Sequence, residues 1–160
     1  MSRSLGPLLP DGLIARLSVS PEGGTTAEQA VVLASVDPYG WPHPALLSEA
    51  EMVALDASRL RLGLASASRS ARHLRDSGRA TLVFAGAAGA LYVKAEATAL
   101  LAAPDHPGLA RFELVIQDVL EDFSAGDEAG ARLGQGLLIE WPPGMDLVSR
   151  RRSLRGALLH

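Results

Sequence analysis

Short apolar runs separated by tight turns are the feature of this sequence that most restricts its fold. Residues 30–36 form a nearly continuous apolar run, and residues 60–64 alternate, with three leucines on one face at period 2. Residues 91–100 alternate most regularly, which predicts a long strand with one polar face. The sequence Asp37-Pro38-Tyr39-Gly40 suits a type I turn after the first run. Short strands joined by tight turns favour an antiparallel barrel over a parallel sheet.

The other periodic segments add strands and helices to this plan. Residues 11–17 predict a short helix. Between residues 107 and 123 the apolar period changes to 3.6, which predicts a longer helix with its apolar stripe at Leu109, Phe112, Ile116, Val119, Leu120 and Phe123. Further strands are expected at residues 41–48, 51–55, 79–84 and 135–141. The fold class is therefore mainly β with α, with about six antiparallel strands and flanking helices.

Residues 66–74, with the sequence SASRSARHL, directly follow the leucine strand and open a short helix that stops at Gly78. A helix start presents unpaired backbone N–H groups and the positive end of the helix dipole, and serines and arginines add further donors. Such a segment can bind a phosphate group. The same residues also suit an ordinary N-cap, since serine is common there, and the segment alone leaves both interpretations open.

Length and composition restrict the class of protein. The 160 residues, 48% apolar and 21% charged, suit a single soluble domain over residues 1–160. The net charge of −3 argues against nucleic-acid binding, and no apolar run approaches the roughly 20 residues of a membrane span. Prolines and a glycine interrupt the N-terminal leucines where a signal peptide would need a continuous core, so a cytoplasmic protein is expected.

Residues able to carry chemistry without a cofactor are sparse. Cysteine is absent, and the four histidines show no metal-ligand spacing, so no metal site and no catalytic residue are assigned. Trp141 is expected either to close the barrel end or to pack on a ligand. The arginine-rich segment 149–160 is expected to be a loosely held basic tail.

Residues 30–100 resemble the FMN-binding split-barrel proteins related to pyridoxamine 5′-phosphate oxidase. The resemblance rests on three elements: the first hairpin, VVLASVDPYGWPH at residues 31–43; the helix start, SRSARHL at residues 68–74; and the strand ATLVF at residues 80–84. Family members typically read Asp-x-x-Gly-x-Pro in that hairpin and Ser-Arg-Lys at that helix start. Here Ser70 stands where the lysine is usual, and His73 stands where Asn is often seen.

The resemblance implies a six-stranded split barrel with a family-like core over residues 30–141. It further implies a homodimer with FMN at the subunit interface. By position, Ser68 and Arg69 match the phosphate-contacting pair, and Ser66, Ser70 and Arg72 lie close enough in sequence to contribute. The isoalloxazine ring of FMN is expected against the backbone at four positions: Leu47, Ser48, Ala65 and Ser66.

Two classes of function follow from the resemblance. The first is a flavin-dependent oxidoreductase that passes electrons from reduced nicotinamide or another donor to a small organic substrate. The second is a binding protein on the same scaffold that holds flavin, deazaflavin, haem or a tetrapyrrole without turnover. Fold alone does not separate them.

Overall fold

The computed structural model describes residues 1–18, 27–86, 89–125, 129–130 and 136–160. Within this part of the chain, nine antiparallel strands, three α-helices and one 3₁₀ turn are formed. The strands are β1 (Ser2–Gly6), β2 (Ala27–Val36), β3 (Pro42–Ser48), β4 (Met52–Ala54), β5 (Arg59–Ala65), β6 (Arg79–Gly86), β7 (Gly89–Ala99), β8 (Leu109–Asp122) and β9 (Leu138–Glu140). The helices are α1 (Asp11–Ser18), α2 (Arg69–Ser77) and α3 (Leu147–Leu159), and the 3₁₀ turn is Glu49–Glu51.

The strands form one curled sheet in the order β3-β2-β6-β7-β8-β5-β4, with β1 added to β8 and β9 added to β2. The two ends of this path, β3 and β4, follow each other in sequence and are joined by the 3₁₀ turn. The sheet is therefore a half-barrel, and its two edge strands are connected by this short turn. The predicted split-barrel fold class is confirmed, with nine strands in the described residues where the sequence indicates about six.

The core lies inside the curled sheet and is built from the inward positions of each strand. Leu60, Leu62 and Leu64 of β5 are buried together, as their period-2 spacing predicts. Helix α2 contacts β2, β3, β5 and β7, and it inserts Ala71 and Leu74 into the same core. The helix thus closes one end of the half-barrel, and its N-terminus is held at a fixed place relative to the strands.

The helix predicted at residues 107–123 is wrong, because this segment is the long strand β8. Alternate residues Ala110, Phe112, Leu114 and Ile116 are buried, as a strand requires. Ala95 then pairs with Ile116 while Lys94 pairs with Asp118, so Gln117 is an extra residue in a β-bulge. The bulge moves the next buried residue to Val119. Buried positions 112, 116 and 119 then imitate the spacing of a helix.

The C-terminal segment is also different from its prediction, since it forms helix α3 packed on the sheet instead of a loosely held tail. Leu158 is completely buried, and a Cβ atom added to Gly63 of β5 would lie 3.2 Å from its side chain. Arg61 donates to the carbonyl of Leu158 at 2.8 Å, and Arg111 donates to that of Ala157 at 2.9 Å. Guanidinium donors at the carbonyl end of a helix satisfy orphan acceptors and complement the helix dipole.

A buried ion pair fastens the middle of α3. Arg151, only 4% exposed, pairs through its Nε with Glu28 at the start of β2. The other carboxylate oxygen of Glu28 accepts from the hydroxyl of Ser48, the last residue of β3. The three side chains tie α3 to two strands at the split of the barrel.

Several sequence predictions concern residues at or beyond the limits of the described chain. The sequences PEGGTT at residues 21–26 and SAGDEAG at residues 124–130 predict loops. The first lies outside the described residues and the second lies partly outside. The last strand is seen only as β9, and residue 135 of its predicted range is not among those described.

We predict that Arg151→Met destabilises the protein by about 3–5 kcal/mol, because it leaves the Glu28 carboxylate buried without its cation. Urea unfolding would measure the change. Arg152→Met is the matched control: Arg152 is exposed on the same helix, and its loss should stay within about 0.5 kcal/mol of the wild type. The double variant Glu28→Gln/Arg151→Met should recover much of the loss. Equal stability of Arg151→Met and Arg152→Met would contradict a structural role for the ion pair.

Candidate functional site

The start of α2 is a well-formed helix N-terminus immediately after β5. Ser68 has extended backbone angles and its hydroxyl oxygen accepts from the Ala71 N–H at 3.1 Å, as an N-cap does. At the other end Gly78 adopts a left-handed conformation, with φ of 63°, and its N–H bonds to Leu74. These two caps explain why nine residues hold a stable helix here. The predicted short helix with its stop at Gly78 is confirmed.

Two guanidinium groups are free at this helix start. Arg69 and Arg72 are both exposed, and neither takes part in an ion pair among the described residues. The first backbone N–H groups of any helix have no partner within the helix, and they point in the same direction as the positive end of its dipole. Two free guanidiniums beside such donors fit a phosphate dianion.

The three serines near this helix start are placed differently from one another. The Ser68 hydroxyl accepts from Ala71 and still has its own proton to donate. Ser66 is half-buried, and its backbone N–H is already bonded to the carbonyl of Gly108 at 2.8 Å. Ser70 is 5% exposed, on the buried side of the helix. Of the three hydroxyls, those of Ser66 and Ser68 are therefore more accessible to a ligand than that of Ser70.

The other predicted positions lie at the ends of β3 and β5. Leu47 is part of the buried core, while Ala65 is exposed. Ser48 is 2% exposed, and its backbone N–H donates to Glu51 at 2.8 Å while its hydroxyl accepts from Ala50 at 3.1 Å. This capping box starts the 3₁₀ turn. The turn contacts β5, and α2 contacts both β3 and β5, so the fold brings these strand ends and the α2 start into one region.

A buried histidine links α2 to the first hairpin. His73 is 7% exposed; its ring lies edge-on to that of His43, with centroids 4.8 Å apart, and its Nδ1 is 3.4 Å from the Ser35 hydroxyl. Ser35 and His43 are cross-strand partners in the β2–β3 hairpin. His73 therefore has a packing role, holding the phosphate-side helix against the hairpin. The sequence shows a signal for this, since His73 shares the buried face of α2 with Ser70 and Leu74.

The buried ion pair of Glu28 and Arg151, which lies beside Ser48, could not be predicted from the sequence. Glu28, Arg151 and Ser48 are far apart in the chain, and no spacing joins them. Glu51, beside them, has a pKa raised above its usual value, chiefly because burial disfavours the carboxylate. The hydrogen bond from Ser48 and the charge of Arg150 oppose this shift without cancelling it.

No group of three or more metal-ligating side chains occurs in the described part of the chain. Nor does any helix in those ranges have the length and apolar character needed to cross a membrane.

The fold is that of a known family. Residues 24–135 match the family model of pyridoxamine 5′-phosphate oxidase, which is more than half of the chain. The chain belongs to the pyridoxamine 5′-phosphate oxidase family, as the resemblance in the first hairpin and the helix start indicates. No curated protein matches its sequence.

Two solved structures with TM-scores above 0.5 support the fold at low sequence identity. A proposed pyridoxamine 5′-phosphate oxidase from Lactobacillus delbrueckii is 20% identical, with a TM-score of 0.55, and the match covers 72% of this chain and 97% of that one. A proposed 5-nitroimidazole antibiotic resistance protein from Bacteroides thetaiotaomicron is 7% identical, with a TM-score of 0.51 and coverage of 77% and 89%. The haem storage protein HutZ from Vibrio cholerae is 15% identical, with a TM-score of 0.49 and coverage of 63% and 90%.

We predict that Glu51→Gln stabilises the protein at neutral pH. A carboxyl with a raised pKa binds its proton more tightly in the folded state than in the unfolded state. The folded protein therefore loses stability as the pH rises from 4.5 through the folded pKa of Glu51. Glutamine keeps an acceptor for the Ser48 N–H and has no charge to bury. In thermal unfolding, the variant should have a higher Tm than the wild type at pH 8, and the difference in Tm should shrink toward pH 4. A difference in Tm that is constant with pH would show that the carboxyl charge is not the cause of the stabilisation.

Proposed function

We propose that this protein binds FMN, with the phosphate at the start of α2, and acts as an oxidoreductase on a small organic substrate. The observation that carries the proposal is the pair of exposed, unpaired guanidiniums of Arg69 and Arg72 at a capped helix start, in a chain of this family. A phosphate there would receive charge-assisted hydrogen bonds from both side chains. The Ser68 hydroxyl and the first backbone N–H groups of α2 would complete its contacts.

The flavin ring would lie against the strand ends, at Leu47 and Ser48 of β3 and at Ala65 and Ser66 after β5. FMN supplies the redox chemistry when bound, and the chain supplies binding, orientation and exclusion of water. The capping box and the bond to Glu28 fix the backbone around Ser48, so this edge of the site is rigid before any ligand arrives. We assign no acid–base residue, because the carboxyl groups beside Ser48, those of Glu28 and Glu51, are engaged in hydrogen bonds and an ion pair within the fold.

The proposal includes a homodimer in which the flavin lies between subunits. Large apolar side chains on the β2–β3 hairpin support it, since Trp41 is 70% and Leu46 is 59% exposed in the single chain. Exposed apolar side chains of this size are typical of association surfaces. The donor of electrons would be reduced nicotinamide or another small reductant, and the proposed location is the cytoplasm.

We expect FMN to bind more tightly than riboflavin, because only FMN carries the phosphate. Arg69→Ala should weaken FMN binding by about 1.5–3 kcal/mol, or roughly ten- to a hundredfold, by removing one hydrogen bond between charged groups. It should leave riboflavin affinity unchanged. Quenching of flavin fluorescence during titration of the apo protein would measure both.

Arg75→Ala is the control for this titration, since it removes the same charge from the last turn of α2 and should leave FMN affinity nearly unchanged. Equal affinities for FMN and riboflavin would show that the α2 start is only a helix cap. Tight FMN binding without oxidation of reduced nicotinamide or other donors would instead favour a binding protein that holds flavin without turnover.

The homodimer has its own test in light scattering coupled to size-exclusion chromatography. We expect about twice the chain mass of 16.7 kDa at micromolar concentration. Replacing Leu46 with Glu should shift the population toward the monomer by placing a charge on the exposed face of β3. A wild-type protein that remains monomeric at this concentration would refute the shared site.

A further inference from the structure

Three hydrogen-bond donors without acceptors lie on or beside α3. Among the described residues, four buried side-chain nitrogens have no hydrogen-bond partner, and three of them are Nε1 of Trp141, Nη1 of Arg150 and Nη1 of Arg151. The fourth, Nε of Arg61, lies elsewhere, 3.6 Å from a Glu113 oxygen. A buried N–H group without an acceptor is rare in folded proteins, and a charged one is rarer still. Such a cluster indicates a missing acceptor.

The three donors belong to one place in the fold. The guanidinium of Arg150 lies over the Trp141 ring, 4.5 Å from its centroid, and Arg151 is the next residue of the same helix. Trp141 follows β9, which pairs with the start of β2, where Glu28 binds Arg151. The donors therefore line the junction between α3, the end of β9 and the start of β2.

The charges at this junction favour an anion as the missing acceptor. The carboxylate of Glu28 is already engaged, by Arg151 through one oxygen and by Ser48 through the other. Arg150 has no ion pair among the described residues. The remaining carboxyl nearby is Glu51, which accepts from the Ser48 N–H. Burial raises its pKa, and the charge of Arg150 opposes that shift. Neither carboxylate accepts a hydrogen bond from Nη1 of Arg150 or of Arg151.

We propose that Trp141, Arg150 and Arg151 form a binding site for a small oxyanion, either a carboxylate or a phosphate group. Guanidinium groups match the oxygens of both chemistries, and an indole N–H adds a neutral donor. This site is separate from the proposed phosphate site, because it is built on α3 and β9 while the other is built on β5 and α2. The two places are connected through Glu28, which binds both Arg151 and Ser48.

The experiment uses Trp141 as its own reporter. The chain has two tryptophans, and Trp41→Phe removes the exposed one, so that Trp141 alone contributes tryptophan emission. We expect inorganic phosphate or acetate to change this emission along a saturable curve, while sodium chloride at equal ionic strength does not. The more effective of the two anions identifies the chemistry of the ligand.

Variants of three arginines separate this site from a general charge effect. Arg150→Ala in the Trp41→Phe background should weaken anion binding, measured from Trp141 emission, at least tenfold, whereas Arg152→Ala should leave it unchanged. Isothermal titration calorimetry of the Arg69→Ala variant, in which the proposed phosphate site of α2 is weakened, provides a second measurement that does not depend on tryptophan emission. Absence of a saturable response to both anions in the two methods would overturn the proposal, as would full anion affinity in a folded Arg150→Ala variant.

Discussion

The Glu28–Arg151 ion pair is the interaction on which the closure of this half-barrel depends. The sheet ends at β3 and β4, and no strand pairing joins these two edges. The 3₁₀ turn crosses the split, and α3 packs against the turn, β4 and β5. Because Glu28 also accepts from Ser48, one buried carboxylate fixes the helix, the start of β2 and the end of β3 together. Loss of either partner would leave the other charge buried and unpaired, so the pair holds these elements in one arrangement.

Arginine fastens the helices of this protein in a recurring way. Arg61 and Arg111 donate to carbonyls in the last turn of α3, and Arg155 of α3 donates to carbonyls at the end of α1. A guanidinium has several N–H donors in a fixed plane, so it can satisfy two carbonyl groups at once. The excess of arginine over the single lysine, Lys94, therefore has a structural use here. Six arginines in the described residues find no carbonyl or carboxylate: Arg69, Arg72, Arg75, Arg79, Arg150 and Arg152. Three of these, Arg69, Arg72 and Arg150, belong to the two proposed sites.

The parts of the fold that depend on local sequence could be predicted from it. The leucine alternation of β5, the Asp-Pro-Tyr-Gly turn and the caps of α2 each act within a few residues, and each is found where the sequence places it. Strand β8 was not predictable from periodicity, because the bulge at Gln117 breaks the alternation between two correctly alternating halves. Helix α3 was missed because its anchors, Glu28, Gly63 and Arg111, are distant in sequence. The start of α2 could be located from the sequence, whereas the buried ion pair beside Ser48 could not.

The bulge in β8 also divides that strand between two sets of neighbours. Residues before Gln117 pair with β5 on one side and β7 on the other, while residues after it pair with β7 and β1. Side chains change face at this point. Even-numbered residues point into the core before Gln117, whereas the odd-numbered Val119 points into the core after it. Each half can therefore accept changes in register without reversing the faces of the other. A single residue inserted or deleted after Gln117 therefore leaves the pairing of β8 with β5 intact, and the phosphate-side helix begins from the end of β5.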